Sequence, residues 1–457
     1  MNAVSEITTA AVPSGRLGSL IVGGGPAGVA LLVAAQRSGR LAALMAGGLR
    51  VLERGARIGS GQIGRYAIRS DSLADSFLRA LDLEEPSLFR SLIARPPGRD
   101  LYAQRGRAVR LSLVGEFLAE IALTLRDTLR ASGEDPFSTG VAALRAECQP
   151  DGSWMTFCRR VDGRGAIFHA DTLVLATGAH QPLQRLQTQQ VAGAPLLPHF
   201  APKLLQSADF LSHDMSHRLK EITPCRPLRR IAIVGGSHSA LASAHRCLHD
   251  LHPEFRDCES VTVLHRNRLH LTYPSVESAL QDGYETFSPE DVCRKTGRVF
   301  PLAGFRSDAR DLLRRHLELG QLKRDPRLRL LELTEQAGHH EAQRVLENAD
   351  LIVAALGYQP RALPLFDCEK RPVALLCETA RRPLVDRQSR VLDASGRPIP
   401  RVFGIGLAAG YPLGGVHGEA SFTGEANGLA LWQTDIGSDL IERLLTLRLK
   451  SVDSHPC

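Results

Sequence analysis

Residues 20–35, LIVGGGPAGVALLVAA, carry the clearest fold signal in the chain. Their apolar start has the length and composition of a parallel β-strand that is covered on both faces. Gly23, Gly25 and Gly28 then follow at the spacing of a dinucleotide-binding turn. Gly23 permits the tight turn, Gly25 lets the backbone approach a pyrophosphate, and Gly28 lets the next helix pack close to the strand. The N-terminus of that helix would face the phosphates.

The segment after this turn supplies the next parts of such a unit. LRVLERG, residues 49–55, predicts a second strand that ends at Glu53, an acid suited to hydrogen bonding with ribose hydroxyl groups. Because strand, turn, helix, strand and acid occur in this order, we predict a bound dinucleotide. The alternative is a glycine-rich loop at a strand end that binds nothing.

A second glycine turn lies in RRIAIVGGSHSALASA, residues 229–244. Gly235 occupies the position of the first glycine, while Ser237 and Ala240 stand where the other two would be. Small residues meet the same packing demands, and Ser239 lies at the start of the predicted helix. We therefore predict a second dinucleotide site in the same chain, so that one nucleotide can reduce the other.

The strand after the second turn, SVTVLHR at residues 260–266, ends in cations rather than in an acid. Arg266 and Arg268 would attract a 2′-phosphate, which a carboxylate would repel. This pattern favours NADPH over NADH at the second site. The alternative is that both arginines belong to a solvated basic loop.

Further elements complete the pattern. We predict helices over residues 70–85 and 112–132, and a small antiparallel meander within 141–175 that ends in a buried strand. Thr177 and Gly178 follow that strand, and Gly404 and Gly406 follow a later one before a C-terminal helix. The residues assigned to the first dinucleotide are Gly23, Gly25, Gly28, Glu53, Gln62, Thr177, Gly178, Gly404 and Gly406; those assigned to the second are Gly235, Ser237, Ser239, Arg266 and Arg268.

The predicted fold class is α/β, with two Rossmann-type, three-layer dinucleotide-binding domains. The second domain is inserted in the first, because strand and glycine signals of the first type return near the C-terminus. Two dinucleotide sites in one chain suit a permanently held flavin and the nicotinamide nucleotide that reduces it. On that interpretation we assign residues 17–210 and 350–450 to the FAD-binding domain and 225–349 to the NADPH-binding domain. Residues 1–16 are predicted to form a short disordered tail.

Composition narrows the possible functions. At 457 residues the chain exceeds the usual size of one hydrophobic core. Its apolar runs fall short of the ~20 residues that a membrane helix needs, and its N-terminus lacks the features of a signal peptide. Nine cysteines without a C-x-x-C pair favour a cytoplasmic protein with no metal site. The net charge of +7 is spread along the chain, which argues against nucleic-acid binding.

The order of these parts resembles the two-dinucleotide flavoproteins, and within them the N-hydroxylating monooxygenases that modify lysine and ornithine in siderophore assembly. The resemblance runs from about residue 20 to residue 445. It implies FAD and NADPH as cofactors, dioxygen and a small molecule as substrates, and hydroxylation of a nitrogen in a small amine or amino acid in secondary-metabolite or siderophore biosynthesis. The matching segments are GGGPAG, ATGAHQP, LLQSADFLSHD, VGGSHSA and YETFSPEDV.

The last of these segments departs from the family, because Tyr284 stands where that family has asparagine. The resemblance implies that Tyr284 and Glu285 border the substrate pocket and are candidate site residues. The alternative is that both belong to a loop packed against the domain interface. The departure leaves the identity of the substrate open.

Other functions also fit two dinucleotide sites. A flavin oxidoreductase or dehydrogenase would pass electrons to a quinone or a protein partner without inserting oxygen. A redox sensor or binding scaffold would bind the nucleotides without turning over NADPH. Disulfide reductases are excluded because they need a cysteine pair shortly after the first unit, and residues 54–147 contain no cysteine. Assembly into a homo-oligomer is left open.

Overall fold

A computed structural model gives the arrangement of most of the chain. The predicted tail, residues 1–16, lies outside the described residues except for its last two positions. No helix in the described part of the chain is long and apolar enough to cross a lipid bilayer. The described residues are 15–81, 87–131, 133, 135–222, 227–250, 252–294, 296–333, 336–379, 384–406, 409, 411–412, 425–426 and 429–452.

Strands and helices alternate through much of the chain. The strands are β1 (Leu17–Val22), β2 (Leu49–Glu53), β3 (Arg69–Leu73), β4 (Ala108–Arg110), β5 (Phe137–Thr139), β6 (Val141–Cys148), β7 (Trp154–Arg160), β8 (Gly165–Leu175), β9 (Ala179–His180), β10 (Gln190–Val191), β11 (Ala194–Pro195), β12 (Leu204–Gln206), β13 (Arg230–Val234), β14 (Ser260–His265), β15 (Leu328–Glu332), β16 (Leu351–Ala354), β17 (Gln359–Pro360), β18 (Leu365–Phe366), β19 (Pro372–Val373), β20 (Arg390–Leu392), β21 (Pro398–Gly404), β22 (Tyr411–Pro412) and β23 (Glu425–Ala426). The helices are α1 (Pro26–Arg37), α2 (Leu41–Ala46), α3 (Ala74–Leu78), α4 (Pro96–Ala103), α5 (Leu111–Ala131), α6 (Leu183–Thr188), α7 (Ser207–Phe210), α8 (Met215–Ile222), α9 (His238–His249), α10 (Val276–Gln281), α11 (Ser307–His316), α12 (Gln336–Asn348), α13 (Leu376–Thr379), α14 (Leu429–Trp432) and α15 (Asp435–Val452).

The first sheet has ten strands and is built around β1. β1 runs parallel to β2 on one side and to the second half of β8 on the other, and β21 pairs in parallel with the end of β8. The first half of β8 continues the predicted antiparallel meander with β6 and β7. Leu20 and Ile21 are fully buried because helices and loops cover both faces of β1.

The second sheet is smaller and entirely parallel, in the order β12-β16-β13-β14-β15. Alternate residues of β13 face opposite layers. Ile231 and Ile233 belong to the same hydrophobic cluster as residues of α9. Ala232 and Val234 belong to another cluster with residues of α12. This three-layer arrangement confirms the predicted fold class of two Rossmann-type units.

The two sheets do not divide the chain where the sequence boundaries were drawn. β12 and β16 fall in the stretches that we assigned to the first domain, 17–210 and 350–450. Both strands instead pair in the second sheet. The second unit therefore begins before residue 210 and ends after residue 350, because β16 pairs with the central β13 and β12 pairs with β16. The assignment of one nucleotide to each unit stays a prediction.

Two predicted helices have different outcomes. The helix predicted over 112–132 is present as α5. The helix predicted over 70–85 is wrong at its start, because residues 69–73 form β3, which pairs with β4. The Asp75 carboxylate, in the first turn of α3, accepts a hydrogen bond from the Gly106 backbone N–H group. Residues 82–85 lie outside the described part of the chain.

Candidate functional site

A cleft of about 1650 Å³ lies between the two units. It is lined by Gly23 and Gly25 from the first glycine turn and by Ser237 and Ser239 from the second. Each turn directly follows a central strand of its sheet, β1 or β13. Ligands of open parallel sheets bind at this carboxyl end of the strands. The structure thus brings both predicted dinucleotide turns to one cavity.

The first turn leaves no room for a side chain at Gly23 or at Gly28. Gly23 has a φ of +117°, and a Cβ atom there would collide with the carbonyl oxygen of Ala176. A Cβ atom at Gly28 would collide with the carbonyl oxygen of Gly23. Gly25 precedes α1 without a side-chain cap, so the first-turn amides are available to an anion. This geometry fits the pyrophosphate of a dinucleotide.

Glu53 is held in place by the same turn. Its two carboxylate oxygens accept hydrogen bonds from the backbone N–H groups of Gly24, at 3.1 Å, and Gly55, at 2.7 Å. The side chain lines the cleft, and each oxygen keeps a second lone pair for a ribose hydroxyl group. The contacts therefore fix the position of the acid that was predicted to bind ribose.

The remaining residues predicted for the first nucleotide separate into two groups. Gln62, Thr177, Gly178 and Gly406 line the cleft. Gly404 does not line it. It ends β21, and a Cβ atom there would lie 2.8 Å from a methyl group of Val385, so this glycine serves packing.

The second turn repeats the geometry of the first. Gly235 has a φ of +139°, and a Cβ atom there would collide with the carbonyl oxygen of Ala355. Ser237 precedes α9 without capping it through its side chain. This helix end also fits a phosphate group. Arg266 and Arg268 follow β14 beside this turn but are exposed and do not line the cleft.

The structure places Tyr284 and Glu285 away from the cleft, so their role at a substrate pocket stays a prediction. Tyr284 is only 3% exposed, stacks on Tyr273 at 5.3 Å between ring centroids, and receives a long hydrogen bond from the backbone of Leu271. It belongs to the core of the second unit, and burial raises the pKa of its hydroxyl group. Glu285 is exposed, and neither residue lines the cleft.

Sequence reasoning missed a charged cluster across the cleft. Asp71 on β3 faces His238, the first residue of α9, and Arg306, which precedes α11. The ring of His238 contacts Phe305 at 5.0 Å between centroids. Burial lowers the pKa of His238, Asp71 raises it, and Arg306 lowers it again. No local sequence pattern could have predicted this cluster, because its residues come from three elements that are far apart in the sequence.

Two more polar contacts border the cleft. The hydroxyl groups of Tyr66 and Tyr358 lie 3.1 Å apart. Arg361 donates from Nε to the carbonyl oxygen of Ala179 at 3.2 Å, and burial together with the nearby Arg54 lowers its pKa. Both arginines line the cleft, which gives it a positive potential suited to anionic ligands.

The two nucleotide-type turns on one cleft define a two-dinucleotide oxidoreductase. A model of the pyridine nucleotide-disulphide oxidoreductases matches residues 19–434, and the protein belongs to that family. It is also 30% identical over 434 residues to CMP-5′-(3-aminopropyl)phosphonate hydroxylase of Streptomyces rubellomurinus (strain ATCC 31215), covering 93% of this chain and 97% of the relative. The resemblance inferred from the sequence is thereby confirmed.

Solved structures share the fold at low sequence identity. Ornithine hydroxylase from Pseudomonas aeruginosa is 16% identical with a TM-score of 0.55, and the match covers 94% of this chain and 99% of that one. L-lysine 6-monooxygenase from Pseudomonas syringae is 16% identical with a TM-score of 0.53, covering 96% and 100%. The cadaverine monooxygenase of desferrioxamine biosynthesis from Erwinia amylovora is 14% identical with a TM-score of 0.52, covering 97% and 96%.

Proposed function

We propose that the protein is a FAD-dependent, NADPH-consuming monooxygenase that hydroxylates a nitrogen of a small amine or amino acid, in secondary-metabolite or siderophore biosynthesis. The observation that carries the proposal is the meeting of two uncapped helix N-termini, those of α1 and α9, on one cleft. Two nucleotides held there would lie close enough for reducing equivalents to pass between them.

The chain's own residues have distinct tasks in this proposal. Gly23, Gly25 and Glu53 hold FAD, while Ser237 and Ser239 hold the phosphates of NADPH. When bound, the flavin supplies the activation of dioxygen that amino-acid side chains alone do not provide. The protein's part is to position both nucleotides and the amine and to keep water from the reacting centre.

The choice of a nitrogen substrate rests on relatives. The relative with 30% identity is named as a hydroxylase of an aminopropyl phosphonate carried on CMP. The hydroxylases that share the fold are named for ornithine, lysine and cadaverine, each of which bears a primary amine. A primary amine is the feature that these named compounds have in common.

Product analysis tests the proposal directly. The FAD-loaded protein would be given NADPH, labelled dioxygen and, in separate reactions, ornithine, lysine, cadaverine or 3-aminopropylphosphonate. We expect one of these amines to yield a hydroxylamine that carries the label, with NADPH consumed in proportion. Rapid reduction of an added quinone, with no labelled product from any amine, would support the dehydrogenase function instead.

A further inference from the structure

The charged cluster across the cleft has an unusual geometry. Oδ2 of Asp71 lies 3.7 Å from Nη1 of Arg306 and 4.0 Å from Nε2 of His238. Both distances exceed the ~3.2 Å limit of an ordinary N–H···O hydrogen bond. One carboxylate oxygen therefore lies between two donors without forming a hydrogen bond to either.

The side chains of His238 and Arg306 can each form a further hydrogen bond. Nε2 of His238 is buried and has no hydrogen-bond partner among the described residues. Arg306 donates from its other terminal nitrogen to the carbonyl oxygen of Pro301, which leaves Nη1 directed at Asp71. The two side chains as a whole are 34% and 29% exposed and both line the cleft, while Nε2 of His238 itself is covered. In the tautomer that carries the ring proton on Nε2, this atom is a buried donor without a partner, which is costly, and a ligand oxygen would relieve that cost.

Two helix N-termini meet at this place, those of α9 and α11, and the first turn of α11 also carries the carboxylate of Asp308. α9 has 12 residues and α11 has 10, and the two helices contact each other. Their cap residues, Ser237 and Arg306, form no side-chain capping hydrogen bond. The first-turn amides of both helices thus carry unsatisfied N–H groups and partial positive charge. β3, which carries Asp71, contacts α11.

We propose that His238, Arg306 and the first turns of α9 and α11 form a binding site for a phosphate or phosphonate group, and that Asp71 is the resident anion which this group displaces. Such a group presents several oxygens, so it can accept from the imidazole and the guanidinium at once, whereas the carboxylate oxygen reaches neither. Asp71 belongs to the other unit, so displacement exchanges a contact between the units for a contact with the ligand.

Two components of the proposed reaction could supply the anionic group that binds here. One is a phosphate of NADPH, and the other is an anionic group on the amine substrate. That choice of sources rests on the proposed function, whereas binding of a phosphate group does not. A simple ion pair between the units is the competing explanation, and it predicts no competition between Asp71 and an added anion.

Calorimetric titration of the FAD-loaded protein with inorganic pyrophosphate tests the site without turnover. We expect Arg306→Gln to weaken binding roughly tenfold, as the loss of a charge-assisted hydrogen bond does, and Asp71→Asn to tighten it several-fold. The matched controls Arg315→Gln, on the same helix, and Asp127→Asn, on the exposed face of α5, should bind like the unmodified protein. Unchanged affinity in Arg306→Gln, or weaker binding in Asp71→Asn, would overturn the proposal.

The same titrations with NADP⁺, 3-aminopropylphosphonate and cadaverine identify the source. A loss confined to NADP⁺ in Arg306→Gln would assign the site to the nucleotide. A loss for 3-aminopropylphosphonate but not for cadaverine, which has no anionic group, would assign it to the substrate. A loss for pyrophosphate alone would overturn a role in the reaction. If Arg306→Gln fails to fold, Asp71→Asn decides, since its expected gain in affinity cannot result from misfolding.

Discussion

At the scale of single residues, Gly23 has the least freedom to change. Alanine there would combine a φ of +117° with a collision between Cβ and the carbonyl oxygen of Ala176. We expect Gly23→Ala to lower the free energy of unfolding by about 2–5 kcal/mol and to abolish retention of FAD. Urea unfolding and the absorbance of the purified protein measure both effects.

Gly163 provides a matched control for that substitution. Its φ is +84°, but a Cβ atom there would meet nothing within 4 Å. Gly163→Ala should therefore show only the strain of the backbone, about 1–2 kcal/mol, and should retain FAD. Equal losses in the two variants would contradict the role of the close contact, and a yellow Gly23→Ala protein would contradict the assigned nucleotide turn.

We expect Arg266 to determine the preference for NADPH over NADH. It is exposed beside the second glycine turn and has no carboxylate after β14 to oppose it. Arg266→Ala should lower the ratio of kcat/KM for NADPH to that for NADH roughly tenfold, because one charge-assisted hydrogen bond to the 2′-phosphate is lost. Arg256→Ala, another exposed arginine of the second unit, is the control. An unchanged ratio in Arg266→Ala would show that this residue belongs to a solvated loop.

Single-residue predictions succeed where backbone geometry requires a particular residue type. Gly23 and Gly235 could be predicted because only glycine fits their turns. Tyr284 could not, since a sequence pattern does not state whether an aromatic ring faces a pocket or the core. The cluster of Asp71 and Arg306 was equally out of reach, because it depends on contacts between elements that are far apart in the sequence.

At the scale of elements, α9 is anchored by a buried arginine. Nη1 of Arg246 donates to the carbonyl oxygens of Phe210 and Ser212, at 3.0 and 3.1 Å, and burial lowers its pKa. Arg246→Leu would leave both carbonyl groups without this donor. We expect a loss of about 2–4 kcal/mol in the free energy of unfolding, measured in urea. The exposed pair of Arg218 with Glu221 gives the control, since Arg218→Leu should cost only ~0.5 kcal/mol.

Elements also show where local patterns fail. The periodic apolar residues of α5 predict its helix almost to the residue, because its buried face decides its conformation. Residues 70–73 have a helical pattern as well, yet they form β3, since pairing with β4 satisfies their backbone hydrogen bonds. A tertiary contact of this kind overrides local preference and has no signal in the segment itself.

At the scale of the whole molecule, the repeated glycine turn predicts the two units and their order. The residues at which the chain passes from one unit to the other could not be predicted. β12 and β16 are short strands, and the sequence does not state with which sheet a short strand pairs. The largest hydrophobic clusters follow the sheets. One contains residues of the first sheet and its helices, and others contain those of the second. Each unit thus has its own core.

Separate cores predict separate unfolding transitions. The chain has two tryptophans, Trp154 and Trp432, and both are buried in the core of the first unit. Tryptophan fluorescence therefore reports the first unit, whereas circular dichroism reports both. In urea we expect the two signals to give different midpoints, FAD to raise the fluorescence midpoint, and NADP⁺ to raise mainly the transition seen by circular dichroism alone, since a ligand stabilises the unit that binds it. Coincident curves that shift together with either nucleotide would show instead that the two units unfold as one.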